Sequence, residues 1–247
     1  MTEMSNPDSS IAFQGEPGAY SHLACRNAYP GMQPLPCPTF EDTFAAVREG
    51  RARYAMIPID NSVAGRVADV HHLMPYAGLH IIAEHFERIS HHLLAVPGAS
   101  LQTIKTVKSH VHALGQCRNL IRELGLRVIV GTDTAGAAAE LAQRQDKTMA
   151  AIASELAAEA YGLVSLKAGI EDAEHNTTRF VVLAREALEP NRGEFSATQF
   201  YADVEGHPTQ RGLRQALEEL DFFSHEVRIL GVYPRHPFRM KQQAGGE

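Results

Sequence analysis

Four short polar segments lie at the ends of apolar runs that are expected to form strands. The segments are Ala19-Tyr20-Ser21, Asp60-Asn61-Ser62, Ser109 to Gln116 and Asn176-Thr177-Thr178-Arg179. Helix N-termini favour negative charge, because their backbone N–H groups and the helix dipole both point at a bound anion. Hydroxyl and amide side chains at several strand ends therefore predict a cleft for a small anionic molecule. A second interpretation stays open, since each Ser or Thr taken alone is also a typical helix cap.

Other kinds of chemistry lack their sequence signatures. The 13 histidines include His71-His72, His91-His92 and the pair His110 and His112. Adjacent residues on a strand point to opposite faces, and no H-E-x-x-H motif or cysteine pair accompanies these histidines, so we expect no metal site. The glycine-containing turn at residues 15–18 lacks the features of a phosphate-binding loop or a dinucleotide site, and no G-x-S-x-G hydrolase motif is present. We therefore predict that the protein needs no cofactor.

Composition excludes several classes of partner. The chain has 247 residues, of which 44% are hydrophobic and 21% charged, enough to bury the core of one large domain or two small ones. A net charge of -6 and the lack of a basic run predict no nucleic-acid partner. No apolar run spans a bilayer and the polar start lacks a signal-peptide pattern, so we expect a soluble, cytoplasmic protein without a membrane partner. Cys25, Cys37 and Cys117 are expected to be reduced packing thiols.

The elements that must position the polar segments alternate between strands and helices. This alternation is typical of an α/β protein. We expect strands at residues 11–13, 54–59, 79–86, 89–96, 106–108, 128–130, 149–153 and 179–184. We expect helices starting near residue 19 and after a cap at Thr39, and further helices over 63–74, 113–124, 135–145 and 154–161. A turn-rich break at 190–193 precedes a tail with an expected strand at 198–204, a helix at 210–220 and a strand at 227–232.

Together, the motifs resemble the prephenate dehydratase family. The resemblance rests on GEPGAYS at 15–21, IPIDNS at 57–62 with Gly65, VKSH and ALGQC within 107–117, and NTTRF at 176–180. These motifs occur in the family's order and the resemblance extends over residues 11–186. The sequence departs from the family at Asp60, where Glu is usual, and at Val111 and His112, where Pro and Gln are usual.

The resemblance implies conversion of prephenate to phenylpyruvate, with loss of carbon dioxide and water. It assigns the contact with the departing hydroxyl to Thr178, and catalytic amides to Asn61 and Gln116. Further substrate contacts are expected from Ser21, Ser62, Ser109, Thr132, Thr134, Arg179 and Phe180. For three of these residues another role stays open: an ion pair for Arg179, packing for Phe180 and helix capping for Thr132.

The resemblance also implies the domain organisation. We expect a two-lobed α/β catalytic domain over 9–189, resembling type 2 periplasmic-binding-protein folds. Lobe 1 would hold about 9–95 and 178–189, and lobe 2 about 96–177. Residues 194–238 resemble only the second half of an ACT regulatory domain, and the effector motifs G-A-L and E-S-R-P are absent.

Regulation and assembly follow from this organisation as expectations. We predict no allosteric site, weak or no phenylalanine feedback, and a homodimer or homotetramer. Two alternatives remain: arogenate dehydratase activity, and a noncatalytic protein that binds a small anion.

Overall fold

A computed structural model describes residues 7–173, 175–187, 204, 206–224, 227 and 229. The chain divides into two compact units, Met1–Pro190 and Asn191–Glu247. The strands of the first unit are β1 (Ser10–Gln14), β2 (Gln33–Cys37), β3 (Tyr54–Asn61), β4 (Gly65–Arg66), β5 (His80–Arg88), β6 (His92–Ala95), β7 (Thr106–His110), β8 (Arg127–Gly131), β9 (Met149–Ala153), β10 (Val164–Ala168) and β11 (Thr177–Ala184). Its α-helices are α1 (Tyr20–Ala28), α2 (Phe40–Arg48), α3 (Ala68–Leu73), α4 (Val111–Gln116), α5 (Arg118–Glu123), α6 (Thr134–Arg144) and α7 (Glu155–Tyr161).

The strands form two sheets, which confirms the predicted α/β class. The first sheet has the order β2-β1-β3-β11-β5, with β4 beside β3, and the second has the order β10-β6-β9-β7-β8. β11 is antiparallel to β3, and their register sets Thr178 opposite Asn61. The chain crosses to the second sheet between β5 and β6 and returns between β10 and β11. Because β6 pairs with β9 and β10, residues 92–95 belong to the second sheet and not to the first lobe, where the sequence analysis placed them.

The inner strands of each sheet are covered on both faces. Consecutive buried residues of β1 alternate between two clusters: Ile11 and Phe13 pack with Phe180 on one face, while Ala12 packs with Ile57 on the other. In the second sheet, Leu93 and Leu94 belong to different clusters in the same way. Such strands read as continuous apolar runs, which is why the sequence predicted them well.

Several elements differ from the sequence prediction. β2 was not predicted, because Pro34 and Pro36 are unfavourable within a sheet; the strand lies at the sheet edge, where proline is tolerated. β10 was also not predicted. The helix expected over 63–74 begins only at Ala68, since the chain first turns through β4. The single helix expected over 113–124 is two helices, separated at Cys117.

Side-chain caps fix the starts of α2, α6 and α7. Thr39 accepts the N–H of Asp42 at 3.0 Å, which confirms the predicted cap of α2. α7 is capped by Ser154, whose hydroxyl accepts the N–H of Ala157 at 3.1 Å. α6 is capped by the carboxylate of Asp133, which accepts the N–H of Gly136 at 2.6 Å. A hydroxyl cap was expected there.

The glycine turn before α1 packs directly on α7. Ser154 donates to the carbonyl of Gly18 at 2.5 Å, and Tyr161 donates to the carbonyl of Pro17 at 2.8 Å. Gly18 has a φ of +90°, and a Cβ at this position would lie 2.6 Å from the Cα of Ala157. Only glycine fits this close approach of two backbones.

Gly18→Ala should therefore lower the free energy of unfolding by at least about 2 kcal/mol, from the left-handed backbone and the overlap with Ala157. Urea denaturation measures this change. The matched control is Gly31→Ala, because a Cβ at Gly31 meets no atom within 4 Å. Equal stability of the two variants would contradict the packing described for Gly18.

All three cysteines are free and buried, as predicted. In the second unit, α8 (Arg211–Phe223) confirms the predicted helix. The strands expected at 198–204 and 227–232 fall almost entirely outside the described residues. Among the helices that the structure describes, none combines the length and the apolar character needed to cross a bilayer.

Candidate active site

The amide of Asn61 organises the polar cluster at the end of β3. Its Oδ1 accepts the backbone N–H of Val63 at 3.0 Å and that of Ala64 at 2.7 Å. Since a backbone N–H can only donate, these two bonds fix the orientation of the amide. The Nδ2 group then donates to Oδ1 of Asn176 at 2.8 Å and to Oγ1 of Thr178 at 2.9 Å.

The hydrogen bonds keep the same direction of donation from Asn176 into the second lobe. Oδ1 of Asn176 accepts from Asn61, so its Nδ2 group must donate, and it does so to Oε1 of Gln116 at 3.0 Å. Nε2 of His91 lies 2.8 Å from the same Oε1 atom. Because that oxygen only accepts, Nε2 of His91 carries a hydrogen.

His91 is deeply buried at the first crossover between the sheets. Its Nδ1 lies 2.7 Å from the hydroxyl oxygen of Tyr20, which also lies 2.8 Å from the carbonyl oxygen of Ser90, so the single hydrogen of this hydroxyl is shared between two acceptors. Burial lowers the pKa of His91, so the ring is neutral and Nδ1 accepts. Burial also raises the pKa of Tyr20 well above its usual value, with smaller contributions from Cys117 and Glu171. The Tyr20 hydroxyl therefore keeps its hydrogen.

A continuous hydrogen-bond network thus joins both lobes. We call it the amide network; its members are Tyr20, His91, Gln116, Asn176, Asn61 and Thr178. The direction of the network leaves two donors without an acceptor among the described residues: the Thr178 hydroxyl and the Nε2 group of Gln116. No buried side-chain nitrogen or oxygen in the described part lacks a partner, so Nε2 of Gln116 reaches solvent. The network is uncharged and offers donors to an anionic or hydroxylated ligand.

The break between α4 and α5 positions Gln116. The N–H of Asp172 donates to the carbonyl of Gln116 at 2.6 Å. The carboxylate of Asp172 accepts the N–H groups of Arg118 at 2.9 Å and Asn119 at 3.2 Å, at the start of α5. The loop before β11 therefore satisfies both the end of one helix and the start of the next.

Serines that the sequence singled out have mainly structural contacts. The Ser62 hydroxyl donates to the carbonyl of His175 at 2.6 Å and accepts the N–H of Thr177 at 3.0 Å, which ties the end of β3 to the start of β11. Ser109 is fully buried and donates to the carbonyl of Ile152 at 2.6 Å. Ser21 is buried in α1, beside Tyr20 in the sequence.

Four other predicted residues lie outside the amide network. Arg179 pairs with Glu84, at 2.9 Å from Nε and 2.8 Å from an Nη atom, and its side chain is 42% exposed. Arg179 follows Thr178 directly on β11, so the two side chains point to opposite faces of the strand. Phe180 is buried in the core. Thr132 donates to the Asp133 carboxylate at 3.2 Å, and Thr134 is the first residue of α6.

His91 stands outside the motifs that predicted the site, and neither Tyr20 nor Asn176 was among the predicted site residues. Tyr20 and Asn176 stand in two of the four polar segments, and His91 stands in a histidine pair judged only as a metal site. Among the described residues, no three His, Cys, Asp or Glu side chains are placed to hold a metal ion. The signal available for His91 was a polar pair directly before an apolar strand, at a switch between two lobes.

Two α/β lobes joined by a donor-rich network are the arrangement of a two-lobed protein that binds a small polar molecule. Residues 11–188 match the family model described as prephenate dehydratase. The chain belongs to the prephenate dehydratase family, whose members are carbon-oxygen lyases.

Several similar proteins are named as prephenate or arogenate dehydratases, which is consistent with this family. The chain is 45% identical over 279 residues to a bifunctional N-acyl-homoserine lactone acylase/prephenate dehydratase of Komagataeibacter europaeus, covering 96% of this chain and 99% of that protein. It is 43% identical over 182 residues to arogenate dehydratase/prephenate dehydratase 6 of Arabidopsis thaliana, covering 73% of this chain but 44% of the plant protein. The crystal structure of the Arthrobacter aurescens prephenate dehydratase with L-Phe matches at a TM-score of 0.69 and 31% identity, covering 74% of this chain and 62% of that one.

Proposed function

We propose that this chain converts prephenate to phenylpyruvate and uses the Thr178 hydroxyl to assist the departing ring hydroxyl. The observation that carries the proposal is the direction of the amide network. Nδ2 of Asn61 donates to Oγ1 of Thr178, so the threonine's own hydrogen is left for a ligand. A donor aimed at a leaving oxygen stabilises the negative charge that develops there.

The reaction needs little more from the protein. The bond between the ring and its carboxylate breaks and releases carbon dioxide. Its electron pair enters the ring as the carbon–oxygen bond to the hydroxyl breaks, and the hydroxyl leaves as water after taking one proton that solvent supplies. The ring becomes aromatic, which drives the step. A threonine hydroxyl is a weak acid, so its main contribution is orientation and hydrogen bonding in the transition state.

An uncharged network suits this chemistry. A cation bound to the ring carboxylate would stabilise it and oppose its loss. Amide and hydroxyl donors such as Nε2 of Gln116 can hold the substrate without that penalty, and they act best in a site that excludes water. Arg179, the nearest cation in the motif, is paired with Glu84.

The test is formation of phenylpyruvate from prephenate by the purified chain, with arogenate in a parallel series. Turnover of prephenate with a higher kcat/KM than arogenate supports the proposal. Preference for arogenate, the aminated form of the substrate, would replace the proposed prephenate dehydratase activity with arogenate dehydratase activity. A folded chain that binds either compound without turnover would instead indicate a noncatalytic binding protein.

Phenylalanine should inhibit this enzyme weakly or not at all. The tail resembles only half of an ACT domain and lacks both effector motifs. The alignment with the Komagataeibacter protein runs over 279 residues, more than the 247 of this chain, so that relative holds a segment with no counterpart here. Initial rates with and without millimolar phenylalanine measure the effect. Strong inhibition would mean that the tail forms a working effector site.

A second activity is favoured by the same relative, which is named as an acylase as well as a dehydratase. The match covers 99% of that protein at 45% identity. We propose, as a second activity, that this chain cleaves the amide bond of an N-acyl-homoserine lactone with water. Free homoserine lactone and fatty acid are the products to detect. Activity that survives Thr178→Ala would place the acylase chemistry on other residues.

The cytoplasmic location and the homodimer or homotetramer remain proposals drawn from the sequence. Light scattering on the purified chain tests the oligomeric state. Cell fractionation tests the location.

A further inference from the structure

We propose that His91 is a positioning residue: it holds the Gln116 side chain with its Nε2 group turned toward the substrate, and Tyr20 keeps His91 in the required tautomer. The inference rests on the proposed function. It assigns a role to two residues that the sequence did not select. His91 is 2% exposed, so it acts through Gln116 and not by touching the substrate.

Gln116 is held from two sides. Its Oε1 accepts from Nε2 of His91 on the first crossover and from Nδ2 of Asn176 on the second. The crossovers are themselves joined, since the N–H of Ile89 donates to the carbonyl of Asn176 at 2.9 Å. The side chain therefore has a fixed place relative to both lobes, and its direction is set by the backbone N–H groups that orient Asn61.

The opposite orientation of the Gln116 amide is most unfavourable while both neighbours donate. Turning the amide would set Nε2 against the N–H groups of His91 and Asn176 and would present Oε1 to the substrate. An oxygen there would repel a carboxylate or the departing hydroxyl. Without the hydrogen on Nε2 of His91, Asn176 alone would oppose this turn.

Tyr20 supports the Nε2–H tautomer of His91, although the carbonyl of Ser90 competes with Nδ1 for the single hydrogen of its hydroxyl. Its hydroxyl lies 2.7 Å from Nδ1, and the two rings meet edge to face with centroids 5.4 Å apart. A hydroxyl that donates to Nδ1 of the neutral ring places the ring hydrogen on Nε2, where Gln116 needs it. The other tautomer would set a nitrogen lone pair against the oxygen of Gln116.

The first test compares His91→Leu with His91→Gln. We expect His91→Leu to lower kcat/KM for prephenate between about 10- and 100-fold, as expected when a substrate-orienting group moves. A glutamine amide can place a donor near the position of Nε2, so His91→Gln should stay within about 5-fold of the wild type. The control is His92→Leu, which removes the neighbouring buried histidine, bonded instead to Ser165. Equal losses in all three variants would overturn the proposal.

A double-mutant cycle separates positioning from general stability. In the Gln116→Ala background, His91→Leu should change kcat/KM less than about 3-fold, because groups that act as one unit are not additive. A full additional loss in that background would show that His91 does not act through Gln116.

The tautomer gives a measurement that does not depend on turnover. Long-range ¹H–¹⁵N correlation spectra of the wild-type chain should show His91 protonated on Nε2 only, with the signal assigned by its loss in His91→Gln. Protonation on Nδ1 alone would overturn the inference even in an active enzyme. An inactive wild type with the Nε2–H tautomer would instead reject the proposed function.

Discussion

Asn61→Asp should lower kcat/KM for prephenate by about 10³-fold or more, equivalent to at least about 4 kcal/mol of transition-state stabilisation. A carboxylate can still accept the N–H groups of Val63 and Ala64, but it has no hydrogen to donate. The Thr178 hydroxyl would then donate to the carboxylate and lose the hydrogen meant for the substrate. The new negative charge would also repel a dianionic substrate, so KM should rise as kcat falls.

The shape of the residue is unchanged in this variant, so the effect reports the loss of the donor hydrogens together with the added charge. Steady-state kinetics give the two parameters, and circular dichroism with thermal unfolding checks the fold. Asn119→Asp is the matched control, because it adds the same charge at an exposed position at the start of α5. Wild-type activity in Asn61→Asp would contradict the assigned direction of the amide network.

Thr178→Ala should lower kcat by about 10²- to 10³-fold, or roughly 3 kcal/mol, the effect typical for loss of one well-placed transition-state donor. The loss should fall on kcat more than on KM, since charge on the leaving oxygen develops only during the reaction. Thr178→Ser keeps the hydroxyl and should retain most of the rate.

The neighbouring threonine provides the control for this variant. Thr177 and Thr178 are adjacent on β11 and point to opposite faces of the strand. Thr177→Ala removes the same atoms from the same strand and should leave kcat near the wild-type value. If both alanine variants lose activity to the same extent, the loss comes from β11 as a whole and not from the Thr178 hydroxyl.

The sequence predicted the fold best where local rules and burial agree. Strands such as β9 are buried throughout, so their apolar runs stand out, and the cap at Thr39 depends on contacts within one turn. β2 was not predicted, because its prolines are unfavourable in a strand and only a position at the sheet edge permits them. The break between α4 and α5 at Cys117 was not predicted, because Asp172, a residue distant in sequence, supplies the hydrogen-bond partners at the end of α4 and the start of α5.

The candidate site was predictable in part for the same reason. Asn61, Gln116 and Thr178 stand in recognisable motifs, and the structure brings them together. The part played by His91 could not be read from its neighbours in sequence, since its partners Tyr20 and Gln116 are 71 and 25 residues away. The direction of the hydrogen bonds is a property of the whole amide network. It is set by the backbone N–H groups of Val63 and Ala64, where the chain turns after β3.

The most direct measurement is the rate of phenylpyruvate formation from prephenate by the wild type and by Thr178→Ala, with both proteins shown to be folded. We expect steady turnover by the wild type and a loss of about 10²- to 10³-fold in the variant. A folded wild type that is inert toward prephenate, or a Thr178→Ala variant that works at the wild-type rate, would contradict it.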